Sequence, residues 1–314
     1  MLSPGQLTSQ IKEKAKSLGF YACGIAEAEY LEEEAKRLKK WLQEGRQAGM
    51  TYMENHTEKR TDPRLLYEDA RSVIVVLFNY YPGKAISSPN HYKISKYALG
   101  TDYHFVMKHK LKSLIGFINE LAGEVRARAF VDSAPVLERS WAERAGLGWI
   151  GKNTCLITKE QGSFFFIGEI ITDLELTYNT QPVPDYCGGC TRCIDACPTN
   201  ALSKDGLDSN QCISYWTIEH KGDAIDPNLK GKFDNWIFGC DICQDVCPWN
   251  RLAEAHNEEA FKPIRFISEA GKSDWEQLTP ETFRETFRKS PLKRTKFEGL
   301  KRNIGFVDGD DSKV

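Results

Sequence analysis

Eight of the ten cysteines in this 314-residue chain lie between residues 187 and 247, and their spacing restricts what this region can fold around. The first run reads Cys187-Gly-Gly-Cys190-Thr-Arg-Cys193-Ile-Asp-Ala-Cys197-Pro198, which has the C-x2-C-x2-C-x3-C-P spacing of bacterial ferredoxins. The second run, Cys240-Asp-Ile-Cys243-Gln-Asp-Val-Cys247-Pro248, lacks its first cysteine, and Cys212 lies upstream to supply it. The spacing therefore predicts two 4Fe–4S clusters.

The two runs are expected to exchange one ligand each, because in two-cluster ferredoxins the fourth cysteine of a run ligates the other cluster. We assign Cys187, Cys190, Cys193 and Cys247 to the first cluster, and Cys197, Cys212, Cys240 and Cys243 to the second. Zinc is the alternative metal, but zinc sites usually pair two C-x2-C knuckles. A disulfide framework is disfavoured because no secretory signal is evident at the N-terminus.

The composition is that of an ordinary soluble globular protein, with 41% hydrophobic and 27% charged residues. No apolar run approaches the roughly 18 residues of a membrane span. We therefore expect a cytoplasmic protein without a membrane partner, since thiolates and reduced clusters persist in that compartment.

Helix and strand signals alternate from residue 1 to about 175, which predicts an α/β core domain. The helix signals cover 4–19, 29–44, 102–122 and 136–145, and the strand signals cover 20–25, 73–80, 128–132 and 164–172. Residues 176–255 are predicted to form a two-cluster ferredoxin-like domain, entered through a linker at 179–184. Residues 256–314 are predicted to be a helical segment on the outside, ending in a frayed acidic tail from Asp308.

Three further features are candidates for chemistry. Asp132 ends an apolar strand just before a helix. A residue there can face the ligand crevice of an α/β sheet, or it can cap the helix, and both interpretations stay open. The segment 96–105 carries Tyr97, Asp102, Tyr103 and His104, although a lone histidine is more often a satisfied structural residue. Eight Lys or Arg between residues 284 and 302 indicate a phosphate-binding patch or a solvated helix face. Cys23 and Cys155 are expected to be buried small hydrophobes.

Taken together, these segments resemble the epoxyqueuosine reductase family. The matching features span residues 60 to about 302. They are Tyr97-Ala-Leu-Gly-Thr-Asp-Tyr-His104, Val131-Asp132-Ser-Ala-Pro135, Gly148-Trp-Ile-Gly-Lys-Asn153, both cysteine runs, and Ser214-Tyr-Trp-Thr-Ile-Glu-His-Lys-Gly222.

The resemblance implies a cobalamin held between a reductive-dehalogenase-like α/β domain and the two-cluster domain, with no protein histidine on the cobalt. It implies reduction of the epoxide of epoxyqueuosine to queuosine at the wobble position of tRNA, with Asp132 as general acid. The implied cobalamin contacts are Arg60, Tyr97, Asp132, Asn153, Ile157, Ser214 and Asp241. The implied tRNA contacts are Lys221, Lys293, Arg294, Thr295 and Lys296.

By the same resemblance, electrons come from an external low-potential donor such as a ferredoxin or flavodoxin, and the chain acts as a monomer. Two alternatives remain. A corrinoid-dependent reductive dehalogenase would commonly carry a twin-arginine export signal, which is not evident here. A plain iron–sulfur electron carrier would leave the segments 97–104 and 130–154 without a role.

Overall fold

The computed structural model describes residues 2–83, 91–179 and 181–309. Its strands are β1 (Ala22–Glu27), β2 (Ser72–Asn79), β3 (Lys93–Ile94), β4 (Ala127–Phe130), β5 (Trp149–Ile150), β6 (Leu156–Ile157), β7 (Phe165–Thr172), β8 (Leu202–Ser203), β9 (Gly206–Leu207) and β10 (Trp236–Phe238). Its α-helices are α1 (Pro4–Ser17), α2 (Glu32–Gln43), α3 (Thr57–Thr61), α4 (Pro63–Leu66), α5 (Tyr103–Ala122), α6 (Glu138–Arg144), α7 (Arg192–Asp195), α8 (Ile242–Asp245), α9 (Arg265–Glu269), α10 (Lys272–Glu276), α11 (Pro280–Thr286) and α12 (Lys296–Asp308).

Local sequence signals explain where the first helix begins. The hydroxyl of Ser3 accepts a hydrogen bond from the backbone N–H of Gln6 at 3.3 Å, and the Gln6 side chain accepts one from the Ser3 N–H at 2.9 Å. Pro4 occupies the first helical position, where its missing N–H costs nothing. The predicted start of α1 is therefore confirmed.

The core sheet has the order β1-β2-β7-β4, and every neighbouring pair in it is antiparallel. One face of β2 packs with α1 and α5, and the other face packs with α6. The apolar side chains of β2 therefore alternate between two buried layers: Ile74, Val76 and Phe78 lie on the first face, and Val73, Val75 and Leu77 lie on the second. The α/β core is confirmed, and its layers arise without the parallel crossovers that alternating helices and strands often signal.

The cysteine-rich region and the core are joined by pairing and packing. The short helices α7 and α8, one from each cysteine run, lie against each other. Strand β10 pairs in parallel with β3, so the region between the two cysteine runs adds a strand to residues that precede α5. Asn179, the first residue of the expected linker, is held to β1, because its amide oxygen accepts from the Ile25 N–H at 3.2 Å. Residue 180 lies outside the described residues.

The C-terminal helices share a hydrophobic core with the rest of the chain. The buried members of this core are Tyr92, Ile94, Ala98, Ile237, Phe238, Ile267, Ala270, Trp275, Leu278, Phe283, Phe287, Leu292, Leu300 and Ile304. The Asn303 amide donates to the carbonyls of Thr217 and Ile237, both at 2.9 Å. The helical content is as predicted, and long-range packing buries one side of these helices against the rest of the chain.

The expected fraying does not begin at Asp308. This residue ends α12, and its carboxylate accepts hydrogen bonds from the Tyr92 hydroxyl and from the Lys272 ammonium. The remainder of the acidic tail, residues 310–314, lies outside the described residues. None of the helices in the described ranges has the length and apolar character needed to cross a bilayer.

Candidate functional site

The seven cysteines of the two runs and Cys212 fall into two groups in space. Burial raises the pKa of Cys247, and the nearby thiols of Cys187 and Cys190 raise it further. Burial likewise raises the pKa of Cys240, with the thiols of Cys212 and Cys197 adding to it. Each run thus places its last cysteine beside the other run, which is the arrangement that the crossed assignment requires.

We name the two sets the outer group (Cys187, Cys190, Cys193 and Cys247) and the inner group (Cys197, Cys212, Cys240 and Cys243). Among the described residues, no three Cys, His, Asp or Glu side chains lie close enough to share a single metal ion. A 4Fe–4S cube does not require this, because its four thiolates bind four separate irons. Cluster ligation by each named cysteine stays a prediction.

The outer group opens to the surface. Its four cysteines line a cavity of about 540 Å³, whose charged lining residues are Lys152, Arg192 and Arg251. Tyr186 and Leu252 also line it and are 42% and 53% exposed. The inner group faces the interior, because the buried Asp241 adds to the raised pKa of both Cys240 and Cys243, after the larger effect of burial. The two groups therefore form a path from the surface to the interior.

The segment between β5 and β6 connects the core to both groups. The Lys152 ammonium donates to the carbonyls of Gly188 at 2.6 Å and Cys190 at 2.9 Å. The Asn153 amide approaches the Cys243 carbonyl at 3.5 Å. Cys155 lies outside both groups, and burial raises its pKa to about 11, so its thiol stays protonated.

Asp132 lies in an exposed turn after β4, with a left-handed backbone conformation at φ 55°. Such a conformation is unfavourable for a non-glycine residue and is concentrated at functional sites. The Asp132 carboxylate accepts a hydrogen bond from the Tyr103 hydroxyl, and its backbone N–H donates to the Glu138 carboxyl. The residue that caps α6 is Leu137. The N-cap interpretation of Asp132 is therefore wrong, and its carboxylate is available for chemistry.

Aromatic side chains surround this carboxylate. Tyr103 stacks on Phe166, with ring centroids 4.2 Å apart, and Tyr97 lies edge-on to Tyr103 at 6.2 Å. Burial raises the pKa of Tyr97, and the charges of Asp132 and Asp241 raise it further. Tyr97 thus lies near both Asp132 and Asp241, the residue that follows the inner-group Cys240.

Asp102 and His104 have a structural role. The Asp102 carboxylate caps α5 by accepting from the His104 N–H at 3.0 Å, and it contacts the His104 ring at 2.7 Å. Burial alone would raise the pKa of Asp102, but the hydrogen bonds from His104 and Lys293 outweigh burial and hold this pKa well below its usual range. The expectation that a lone histidine is a satisfied residue agrees with this geometry.

The residues that the resemblance implies for cobalamin lie around the same region, and several are engaged within the protein. The Arg60 guanidinium donates to the carbonyls of Asn55 at 3.2 Å and Tyr52 at 2.7 Å. Asp241 is buried and accepts from the Ser95 hydroxyl, from the Lys96 N–H at 2.8 Å and from the Lys96 ammonium at 3.4 Å. Asn153 and Ile157 are buried, and Ser214 is half-buried beside an inner-group cysteine. Their contacts with a cofactor stay a prediction.

The basic residues before α12 lie at the rim of the Asp132 region. Lys293 pairs with Asp102 at 2.8 Å, and Arg294 binds Glu219 with two hydrogen bonds of 2.9 and 3.1 Å. The charge of Asp132 also contributes to the raised pKa of Arg294, after the larger effect of Glu219. Long-range ion pairs thus fasten this run to Asp102, which caps α5, and to Glu219, which lies between the two cysteine runs.

The remaining residues implied for tRNA contact differ in exposure. Lys221 and Lys296 are exposed, whereas Thr295 is buried at 8% exposure. Thr295 precedes α12 without capping it through its side chain. Of these three residues, the two lysines present exposed surface to a large ligand, so they are stronger candidates for phosphate contact than Thr295.

Two residues near Asp132 were missed by the sequence analysis, Glu138 and Glu169. Burial is the main cause that raises the pKa of both, and for Glu138 the pKa reaches about 8. The signal for Glu169 was present, because it is the one charged residue in the apolar run Phe164-Phe-Phe-Ile-Gly-Glu-Ile-Ile-Thr172. A carboxyl inside a buried strand requires a partner or a proton.

Two family models match the chain. Residues 60–133 match the family described as "Epoxyqueuosine reductase QueG, DUF1730", and residues 186–250 match the "4Fe-4S double cluster binding domain". The chain therefore contains a double-cluster domain, and this match covers all eight cysteines of the two groups.

Curated relatives and solved structures agree with these matches. The epoxyqueuosine reductases of Cyclobacterium marinum and Pseudomonas aeruginosa are 55% and 40% identical, over 97% and 96% of this chain and 98% and 84% of their own. The Streptococcus thermophilus epoxyqueuosine reductase structure has a TM-score of 0.88 at 32% identity, covering 96% of this chain and 81% of that one. An epoxyqueuosine reductase bound to an epoxyqueuosine-modified tRNA-Tyr stem loop has a TM-score of 0.89 at 29% identity, covering 98% and 82%. The chain belongs to the epoxyqueuosine reductase family.

Proposed function

We propose that this chain reduces the epoxide of epoxyqueuosine in tRNA to the alkene of queuosine, with release of water. The carrying observation is the exposed Asp132 carboxylate, which accepts a hydrogen bond from Tyr103, whose ring packs edge-on against Tyr97. The reaction consumes two electrons and two protons. The site therefore needs an electron path and a proton source, and both features lie next to Asp132.

The electron path runs from the outer group to the inner group. The outer group lies at an open cavity, and the inner group lies against the core near Asp241. Two 4Fe–4S clusters held by these groups would supply one-electron transfer chemistry, with potentials that hydrogen bonding and burial adjust. The carboxylates of an acidic donor protein, such as a ferredoxin or flavodoxin, fit the three cations that line the cavity.

The region between Asp132 and the inner group fits a redox cofactor, which we propose to be cobalamin. The charges of Asp132 and Asp241 both raise the pKa of Tyr97, after the larger effect of burial. Asp241 also adds to the raised pKa of Cys155. Tyr97, Asp132, Asn153, Ile157, Ser214 and Asp241 would form its walls, with Arg60 supporting them through the Tyr52 loop. When bound there, cobalamin would supply strongly reducing cobalt chemistry beside Asp132.

Asp132 acts as the general acid for the leaving oxygen. Its exposure lets it reach a substrate, and the Tyr103 hydroxyl fixes the direction of its carboxyl. General acids of this kind typically contribute about 10²–10⁴-fold in rate. Its left-handed backbone is held by the hydrogen bond to Glu138, which keeps the carboxyl at the edge of the sheet.

The tRNA is held by cations at the rim. Lys221 and Lys296 are exposed for phosphate contact, while Lys293 and Arg294 contribute from their ion pairs with Asp102 and Glu219. Phosphate contacts position a nucleic acid and carry little sequence information, so base recognition falls to the aromatic surroundings of Asp132. We further propose that the chain works as a monomer in the cytoplasm, where its thiols stay reduced.

An assay of Asp132→Asn with tRNA that contains epoxyqueuosine tests the proposal. Asparagine keeps the acceptor for Tyr103 but carries no transferable proton, so we expect turnover to fall by about 10²–10⁴-fold with cluster content unchanged. Asp205→Asn, in the exposed β8–β9 turn, is the matched control. Near-wild-type turnover by Asp132→Asn would reject its role. Absence of queuosine formation by the reduced wild-type holoenzyme would favour the plain electron carrier.

A further inference from the structure

The fold buries a carboxyl directly behind the Asp132 turn. Glu169 lies on β7, opposite Phe130 of β4 and Val75 of β2, and none of its surface is exposed. It points to the sheet face that packs under Trp141 and Ala142 of α6, where the other contributors are apolar. A charge at this position has no solvent and costs several kcal/mol to bury unless it is paired or neutralised.

The surroundings of Glu169 contain no compensating cation. Neither of its carboxyl oxygens has an N–H or O–H donor among the described residues. Its charged neighbours are the carboxyls of Glu138 and Asp132, which raise its pKa further after the larger effect of burial. A carboxyl without solvent, donor or cation is stable only when it carries a proton. The pair therefore holds at least one proton at rest.

The groups that face Glu138 lead to the same conclusion. They are Asp132 and Glu169, the phenol of Tyr103, and the guanidinium of Arg139 on its own helix. Arg139 is directed away, because it donates to the carbonyl and to the hydroxyl of Thr154. Burial raises the pKa of Glu138 to about 8 and that of Glu169 well above its usual range, which agrees with a protonated pair near neutral pH.

We infer that Glu138 and Glu169 form an internal proton reservoir that recharges Asp132 during turnover. This inference rests on the proposed function. The oxygen that leaves as water accepts two protons, whereas Asp132 carries one. Asp132 is exposed in the free chain, but a nucleotide placed against it covers it from solvent. The hydrogen bond from the Asp132 N–H to Glu138 keeps the reservoir beside the residue that receives its proton.

The steps balance. Asp132 gives its proton to the epoxide oxygen as the first C–O bond breaks, and the Asp132 carboxylate then takes the proton of Glu138. Asp132 gives this second proton to the same oxygen as the second C–O bond breaks, so water leaves and the alkene remains. Glu169 returns its proton to Glu138. The two electrons come from a low-potential one-electron carrier protein, and solvent restores the protons after the tRNA leaves.

Glutamine variants separate a reservoir from a positioning role. Glu138→Gln and Glu169→Gln keep an oxygen that accepts a hydrogen bond, but neither carries a transferable carboxyl proton. In single turnover of reduced holoenzyme, we expect each to slow product formation by at least about tenfold. Wild-type activity should fall as pH rises above about 8, where the reservoir loses its proton. The activity of Glu138→Gln should not show this fall. Cluster content and tRNA affinity should stay unchanged. Wild-type rates and an unaltered pH profile in both glutamine variants would overturn the inference. So would a loss of activity that occurs in Glu138→Ala but in neither glutamine variant, because the carboxyl would then act only by position.

Infrared spectroscopy provides a second measurement that does not require turnover. Wild-type protein should show the absorption of a buried protonated carboxyl at neutral pH, and this band should weaken in each glutamine variant. A wild-type spectrum without this band would refute the reservoir even if the variants failed to fold. If the wild type showed the band but reduced no epoxide, the proposed function would fail while the protonated pair stood.

Discussion

The protonated pair makes a prediction about folding stability that is independent of catalysis. Burial raises the pKa of Glu138 from the ordinary 4.5 to about 8, so the folded chain binds a proton that the unfolded chain releases between these values. The stability that this proton contributes is fully present below about pH 4.5 and is lost as pH rises through about 8. Unfolding free energy should therefore fall with rising pH in this window.

The magnitude follows from the same values. A difference between 4.5 and about 8 corresponds to at most ~5 kcal/mol, because one pKa unit is worth about 1.4 kcal/mol. Glu138 keeps partial access to solvent, which weakens the effect. We expect Glu138→Gln, relative to wild type, to gain about 1–3 kcal/mol of unfolding free energy between about pH 5 and about pH 8.

Anaerobic urea denaturation followed by tryptophan fluorescence measures this difference. Each variant is compared with wild type at each pH, so that the other titrating groups cancel. Glu120→Gln is the control, because Glu120 is an exposed carboxyl on α5 and its removal should leave the pH dependence unchanged. If wild type and Glu138→Gln lost stability in parallel as pH rose, Glu138 would be ionised in the folded chain and the reasoning from burial would be refuted.

Three further predictions test the wiring and the surfaces. Cys197→Ala should damage the inner cluster and spare the outer one, as measured by iron analysis and EPR; damage confined to the outer cluster would disprove the crossed ligation. The double variant Lys221→Ala/Lys296→Ala should raise the tRNA dissociation constant by about tenfold and flatten its salt dependence. Alanine in place of an exposed lysine of α1 should do neither. If this control and the double variant weakened tRNA binding equally, the tRNA site would lie elsewhere. Charge reversal of Arg192 and Arg251 should slow cluster reduction by an acidic flavodoxin or ferredoxin about tenfold or more at low salt, and reduction by dithionite should be unchanged. If both reactions slowed equally, the variant would have a damaged cluster instead of a lost docking surface.

Local and periodic features of this fold could be read from the sequence. The ferredoxin spacing indicated two clusters because ligand spacing is a local requirement. The start of α1 was indicated by Ser3 and Pro4, and the buried strand β2 by its continuous apolar run. Strand β1 begins at Ala22, two residues after the predicted start, because its pairing with β2 sets the boundary.

Long-range features could not be read in this way. The pairing of β3 with β10 joins segments more than 140 residues apart, and nothing in either short strand specifies the other. The basic run before α12 looked like free charge, but Lys293 and Arg294 are paired with Asp102 and Glu219. Ion pairs between distant segments depend on the tertiary fold, so composition alone overstated the charge available to tRNA.

The positions of the carboxyl pair and the cysteine groups explain why the site lies where the two regions meet. In the proposed reaction, electrons arrive from the inner group, near Asp241, whereas protons arrive from the carboxyl pair at the sheet, near Glu169. A cluster relay requires thiolates near the surface and in the interior, and a proton reservoir requires an apolar layer that keeps carboxyls neutral. One domain cannot readily provide both environments at one point. The α/β core supplies the apolar layer, the double-cluster domain supplies the thiolates, and the reaction is placed at the contact between them.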